Sequence, residues 1–243
     1  MASLDSVKAR QVLTTGKVVQ RKDDTPVAIR LRYKGTGTVT SVTMTTATNL
    51  VLITSDGGTD TYTFASGSGT MGALAANINA DGVFEAKLLD CLAADVTTAS
   101  NFKANAAITS SYDELGNVVY DLLVDTDVPD YMTVCLSPFA NFDAPKGHRV
   151  HVQELKYKVN VASGVANGVR VYTRDSAPNG AKHGTEVQIL NITSVDNTET
   201  TITFASGEAK LSGKEDQDII FRINSGAITD GAGNYVQIVG EIE

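Results

Sequence analysis

The 243-residue sequence is short of the residue types that usually mark a chemical function. It contains no tryptophan and aromatic residues make up only 6% of it, so no cluster of rings suggests a surface on which sugars could stack. Its two cysteines, Cys91 and Cys135, do not have CxxC spacing. They predict two small buried thiols in a reducing compartment rather than a disulfide or a metal site.

Long apolar runs are missing as well. No window approaches the roughly 18 apolar residues that a membrane-spanning helix needs. The opening MASLDSVKAR has no apolar core behind a basic start, so the sequence predicts no secretory leader. Synthesis in a cytoplasm is the expectation that follows.

Reactive groups do not form a catalytic motif. No GxSxG, HExxH, Walker A or GxGxxG pattern is present. His148 and His151 lie three apart on a predicted strand, which places them on opposite faces and excludes joint chelation of one ion. The run GTGT at 35–38 precedes a strand rather than a helix, so it predicts a turn and not a phosphate cradle. We therefore expect no catalytic residue, no cofactor and no metal ligand.

Loop carboxylates leave a calcium site open as an alternative. The candidates are Asp125 with Asp127, Asp216 with Asp218, and Asp230. None of them follows EF-hand spacing, so solvated turn residues remain the default interpretation.

Charge is distributed unevenly along the chain. The net charge is −8, yet residues 1–34 hold eight Lys or Arg against three Asp, which leaves −13 for the rest. Residues 104–145 hold seven acidic residues and no Lys or Arg. Because the chain after residue 34 is this acidic, it repels phosphate groups, and we expect no broad nucleic-acid-binding surface.

The basic start has two interpretations. It predicts either a solvated edge strand protected by its charge or an arm, residues 1–25, that docks on an acidic surface of a partner or sister subunit. In the second case the docking residues would be Lys8, Arg10, Lys17, Arg21 and Lys22.

What is present is a strong signal for β-structure. Val, Ile and Thr are β-branched and suit a pleated surface, and apolar and polar residues alternate with period two. The run VAIRLRY at 27–33 places its apolar residues on one face and its arginines on the other. Runs at 49–54 and 59–65 flank SDGG and predict a hairpin. Further strands are predicted at 83–89, 117–124, 131–136, 149–161, 168–173, 186–192, 200–205, 217–223 and 235–242.

One helix is predicted at residues 71–79. Thr70 suits its N-cap and Gly82 the left-handed position after its end. A second short helix near 91–103 is an open alternative. The first core is predicted to contain Leu50, Leu52, Tyr62, Phe64, Leu74, Ile78, Phe84 and Leu88.

A break at residues 137–147, SPFANFDAPKG, holds two prolines and a glycine and predicts a linker or long turn. Beyond it the chain reads as β-structure alone. We therefore expect a mainly β protein with three parts: the basic arm at 1–25, an N-terminal α+β domain with one short helix at 26–145, and a β-sandwich or jelly-roll-like domain at 146–243.

Residues 47–102, ATNLVLITSDGGTDTYTFASGSGTMGALAANINADGVFEAKLLDCLAADVTTASNF, resemble segments of tailed-bacteriophage structural proteins. Such segments place a Thr-rich hairpin before a short Ala/Asn helix and a strand of the FEAKLLD type. The C-terminal β region is similar in pattern to the small β modules of phage accessory head proteins. The resemblance implies a protein made in the bacterial cytoplasm and assembled as a symmetric oligomer, such as a trimer, on the capsid lattice of a virion. The acidic chain after residue 34 favours the outer surface of the head, since a protein beside packaged DNA should be neutral or basic. The resemblance transfers no functional residue.

The resemblance and the missing motifs together favour a bacteriophage capsid decoration or cement protein. It would stabilise or decorate the head by contacts with the major capsid protein or another virion protein. A tail-tube or neck structural protein is the first alternative, and a receptor-binding adhesin is the second. Neither an enzyme nor a nucleic-acid or membrane partner is expected.

Overall fold

The computed structural model describes residues 16–22, 27–44, 48–64, 69–97, 102, 107–123, 131–138, 140–144, 146–158, 167–175, 186–194, 198–204, 211–224 and 235–242. They form one helix, α1 (Met71–Asp81), and sixteen strands. The strands are β1 (Gly16–Lys22), β2 (Val27–Tyr33), β3 (Val39–Thr43), β4 (Asn49–Thr54), β5 (Gly58–Thr63), β6 (Phe84–Leu88), β7 (Ser111–Tyr112), β8 (Val118–Leu123), β9 (Tyr131–Leu136), β10 (Val150–Lys158), β11 (Asn167–Asp175), β12 (Val187–Ser194), β13 (Thr200–Thr203), β14 (Leu211–Ser212), β15 (Gln217–Asn224) and β16 (Tyr235–Ile242).

The strands form four antiparallel sheets. Sheet I has the order β6-β2-β8-β7, and sheet II has the order β3-β4-β5. Sheet III has the order β1-β16-β10-β13, with β14 also paired to β10, and sheet IV has the order β12-β11-β15-β9. The fold is therefore mainly β with one short helix in its N-terminal part, as predicted.

The hairpin and the helix form where local sequence predicts them. Strands β4 and β5 pair around a turn that ends at Gly58, whose φ of 82° lies in the left-handed region. Thr70 accepts a hydrogen bond from the N–H of Ala73 at 3.2 Å, and Gly82 stops the helix with φ 76°. Residues 91–97 hold turns and an isolated bridge, so the second helix does not form in the described part of 91–103.

The first core lies between sheets I and II and helix α1. All eight residues predicted for it are buried there. Strand β6 supplies Phe84, Ala86 and Leu88 to this core, but its alternate residues Glu85 and Lys87 are also buried. The strand predicted at 83–89 is therefore present, and both of its faces are buried.

The second core lies between sheets III and IV. Its members include Val134 and Leu136 of β9, Val152 and Leu155 of β10, and Phe221 of β15. Sheet membership crosses both predicted boundaries, because β9 belongs to sheet IV and β1 pairs with β16 in sheet III. The division into domains itself stays a prediction.

Candidate functional site

The polar face of sheet I is covered by residues 140–143. Arg30 donates to Asp121 at 2.7 Å and to the carbonyl of Ala140 at 3.2 Å. The Lys87 ammonium donates to the carbonyl of Asn141 at 2.6 Å and lies 4.7 Å from the centroid of the Phe142 ring. The predicted linker at 137–147 is therefore, where described, a packed cover, because its apolar and carbonyl groups close over a charged strand face.

Charges under this cover are held in pairs. Arg32 bonds Glu85 at 2.7 Å and also bonds Asp143, and its attraction lowers the pKa of the Asp143 carboxyl. Burial tends to lower the pKa of Arg30, but the hydrogen bond and charge of Asp121 outweigh it and raise that pKa. Two acidic residues of the Lys/Arg-free stretch 104–145, Asp121 and Asp143, are thus paired with arginines of the same chain.

A second buried polar cluster joins sheet IV to the segment 88–95, and we call it the Arg174 junction. Arg174 is fully buried and donates to Asp218, which is also fully buried, at 3.0 Å from Nε and 2.9 Å from Nη2. Its other bonds reach the backbone carbonyls of Leu88 at 3.1 Å, Leu89 at 3.4 Å and Cys91 at 3.0 Å. One guanidinium therefore ties two strands of sheet IV to the end of β6.

Neighbouring contacts extend the junction. Arg222 of β15 pairs with Asp95 at 2.6 Å. The Asp90 carboxylate accepts from the N–H of Cys135 at 2.9 Å and of Val27 at 3.0 Å. Both cysteines are buried thiols rather than partners in a disulfide, as predicted, and burial raises the pKa of Cys91. A buried thiol kept protonated does not attack a substrate, so these groups serve as structural links.

Those carboxylates and histidines considered for metal binding that lie in the described ranges are engaged in local contacts. Asp216 accepts from the N–H of Gly147 at 2.8 Å, and Asp218 belongs to the Arg174 junction. The Nδ1 of His151 lies 2.6 Å from the hydroxyl of Ser212. The calcium candidates Asp125, Asp127 and Asp230 lie outside the described residues. Within the part of the chain that is described, no three His, Cys, Asp or Glu residues form a metal-binding group.

The GTGT turn holds an internal anion. The carboxylate of Asp56 accepts from the N–H groups of Thr36 at 3.0 Å and Gly37 at 2.8 Å, and from the hydroxyl of Tyr33. These hydrogen bonds, with that of Tyr33 the largest, lower the pKa of Asp56. The turn is therefore closed by the chain's own carboxylate, and the prediction that it is no phosphate cradle agrees with this geometry.

Beside this turn lies an open groove of about 700 Å³. Tyr33 and Tyr120 provide aromatic surface, Val39 provides apolar surface, and Lys34 and Asn117 provide polar groups. One side is formed by residues 34–39 and the other by the turn 116–118. Mixed lining of this kind suits a protein segment rather than a small charged metabolite.

The groove continues onto an exposed apolar surface that we call the hairpin patch: Tyr112, Leu115 and Val118. Their exposed fractions are 75%, 45% and 44%. All three lie within seven residues, on β7, the following turn and the start of β8. Clustered exposure of an aromatic ring and two aliphatic side chains marks a candidate docking surface.

Asp113 holds the turn of the hairpin patch in one conformation. Its carboxylate accepts from the N–H groups of Leu115 at 3.0 Å and Asn117 at 2.8 Å, and from that of Phe142 at 2.9 Å. Gly116 adopts a φ of 84°, which the turn requires. The patch is thus anchored to the cover of sheet I, so a partner would meet a surface that is already ordered.

The residues predicted to dock a partner are not part of this patch. Lys8 and Arg10 lie outside the described residues. Lys17, Arg21 and Lys22 lie on β1, where their backbones face Glu241, Gln237 and Val236 of β16. At least residues 16–22 of the basic arm therefore form an edge strand of the chain's own sheet III. Sequence reasoning missed the hairpin patch, although the sequence DELGN does signal a turn there.

No protein-family model matches the chain, and no curated protein matches it. The described helix, α1, has 11 residues, and no helix in the described ranges is both long and apolar enough to cross a membrane.

Proposed function

We propose that this chain is a structural protein of a tailed-bacteriophage particle that decorates the head through protein–protein contacts and performs no chemistry. The observation that carries the proposal is the hairpin patch, an ordered apolar surface beside an open groove. Tyrosine is enriched at the energetic centres of interfaces because it buries a large ring at a low cost in conformational entropy.

The state of the reactive groups supports a binding role. In the described ranges, the buried Asp, Glu, Lys and Arg side chains bond backbone groups or each other, as in the Arg174 junction and the Arg30–Asp121 pair. An enzyme would instead present such groups to a cavity where a substrate could reach them. The groove exposes aromatic, apolar and amide groups together with the Lys34 side chain, a mixture that suits recognition of a protein surface.

Charge supports an outer position on the particle. The chain carries a net charge of −8, and packaged nucleic acid repels an acidic protein. A major capsid protein or another virion protein is the partner we propose for the hairpin patch. The sequence resemblance of residues 47–102 to tailed-phage structural proteins agrees with this assignment.

Location on particles tests the proposal directly. Virions that contain the chain would be labelled with an antibody against it and imaged by electron microscopy. Label on the outer head is the expected result. Label along the tail tube or at the neck would favour the alternative structural role, and absence of the chain from all particles would overturn the virion assignment.

The role of the hairpin patch is tested by Tyr112→Ser combined with Leu115→Ser. Occupancy on particles should fall because the exposed apolar contact is lost, while the melting temperature should change little because both residues are exposed. Val96→Ser is the matched control, since Val96 is 50% exposed and lies away from β7 and β8. Full occupancy of the double variant would show that the patch does not dock the protein.

A further inference from the structure

The described sheets have nine edge strands, with β13 and β14 both on one side of β10, and three of these edges are blocked by other parts of the chain. Ile108 donates to a carbonyl of β3 at 2.8 Å. Asn79 of α1 bonds both the carbonyl and the N–H of Ala86, at 3.0 and 2.8 Å, and so occupies the free edge of β6. Asp90 accepts from the N–H of Cys135 in β9. A side chain or loop thus takes the place of a further strand at these edges.

Other edge strands are protected because they carry charged residues or because they are very short. The sequence of β1 carries Lys17, Arg21 and Lys22 within seven residues, and β5 carries Asp60. Strand β7 has two residues and β13 has four. Charged or very short edge strands discourage pairing with another chain.

Within the described ranges, strand β12 has none of these protections. It is eight residues long, its sequence VQILNITS contains no charged residue, and β11 is its only strand partner among the described residues. Val187 is 57% exposed and Ile189 is 43% exposed. No hydrogen bond from the described parts of the chain reaches the outer side of β12. A long, uncharged edge with exposed apolar side chains is a template for an added strand.

We infer that β12 pairs antiparallel with β12 of a second copy of this chain, which joins two copies of sheet IV into one continuous sheet across a twofold axis. Antiparallel pairing of a strand with its own copy is self-complementary and closes as a dimer. This contact lies apart from the hairpin patch and does not depend on the chain belonging to a virion.

Charge favours a second copy over a charged partner. Each copy carries −8, so most of its surface repels another copy, but β12 brings no charge to the contact. The charged residue next to it, Glu186, accepts from the N–H of Ala93 at 2.7 Å and lies 3.4 Å from Arg174. Strand β12 therefore offers no opposite charge to an acidic or basic peptide. The β12 strand of a second copy is equally uncharged and can pair with it.

The test uses the full-length chain at increasing concentration. Sedimentation velocity should show a monomer–dimer equilibrium, and hydrogen exchange should show that the amides of residues 187–194 become protected as the dimer forms. Protection is expected because strand pairing adds hydrogen bonds on the outer side of β12.

Ile189→Lys is the informative variant, with Val187→Lys as a second. Each places two like charges in the dimer interface, so the dissociation constant should rise about tenfold or more. Val96→Lys is the control, since it adds the same charge at a comparably exposed position outside β12 and should dissociate like the wild type. Unchanged circular dichroism would show that the variants remain folded.

Three results would overturn the inference: a wild type that stays monomeric, a dimer that neither β12 variant weakens, or a trimer, which a twofold strand pairing does not build. A dimer that fails to bind virions would leave this inference standing and count against the proposed function alone.

Discussion

Arg174→Met should strongly destabilise the fold, because it removes the centre of a buried hydrogen-bond network. Methionine keeps most of the side-chain length but removes the guanidinium. The change leaves Asp218 as a buried charge without its partner, and both side chains are fully buried in the wild type. Loss of one partner from a buried pair costs about 3–5 kcal/mol.

The lost backbone contacts add to this cost. Three carbonyl groups, those of Leu88, Leu89 and Cys91, lose a charged donor. Allowing for partial relaxation, we expect a total loss of about 4–6 kcal/mol in the free energy of unfolding. That is a large share of the roughly 5–15 kcal/mol by which folded proteins are stable.

Urea unfolding followed by far-ultraviolet circular dichroism and tyrosine fluorescence measures the effect, since the chain has no tryptophan. Arg170→Met is the matched control: Arg170 lies on the same face of β11 but is exposed, so its loss should change stability by no more than about 0.5 kcal/mol. Arg174→Met with Asp218→Leu should be less destabilised than Arg174→Met alone, because the unpaired charge is removed too. A cost below about 1 kcal/mol for Arg174→Met, or a double variant no better than the single one, would refute the reasoning.

Three further changes test other parts of the fold. Phe64→Ala should cost about 3–5 kcal/mol in urea unfolding, since Phe64 is 2% exposed in the first core; a cost within about 0.5 kcal/mol would place the ring at the surface. Burial lowers the pKa of Lys87 to about 8, below its unfolded value of about 10.4. The buried ammonium therefore reduces the free energy of unfolding at neutral pH. Between about pH 8 and about pH 10.4 the folded state loses this proton first, so the free energy of unfolding rises with pH. The stability of Lys87→Met relative to wild type should therefore fall by about 3 kcal/mol between about pH 7 and about pH 11, and a pH-independent difference would contradict the assignment. Gly240→Ala should lower the melting temperature at a cost of about 1–3 kcal/mol, because its Cβ would lie 2.5 Å from the carbonyl oxygen of His151 and 3.2 Å from Leu136; an unchanged melting temperature would show that sheet III tolerates the shift.

The sequence indicates only one feature of the candidate docking surface, which is its turn. The run DELGN, with Gly116 at positive φ, indicates a hairpin between Tyr112 and Val118. Their exposure follows from the lack of a covering element, and an apolar residue in a strand is buried or exposed according to what packs on it. The same holds for β12, where Val187 and Ile189 read as ordinary strand residues.

The sequence by itself determined the local elements. Period-two alternation marked most of the longer strands, Gly58 ended a hairpin turn, and Thr70 and Gly82 set the limits of the helix. These signals lie within a few residues of one another, because turns, caps and strand faces depend on backbone dihedrals and nearby hydrogen bonds. The eight residues predicted for the first core follow from the same alternation.

Tertiary structure alone decided what covers each face. The sequence places Arg30 opposite Ile29 on the predicted strand 27–33, and Arg174 follows directly after the predicted strand 168–173. In the fold both arginines are buried, one under residues 140–143 and the other against the segment 88–95. Alternation specifies that a strand has two chemically different faces, whereas the partner of the polar face comes from residues some 80 to 110 positions away. A local pattern carries no information about contacts at that separation, so the buried charge pairs and the sheet to which β1 and β9 belong emerge only when the chain is folded.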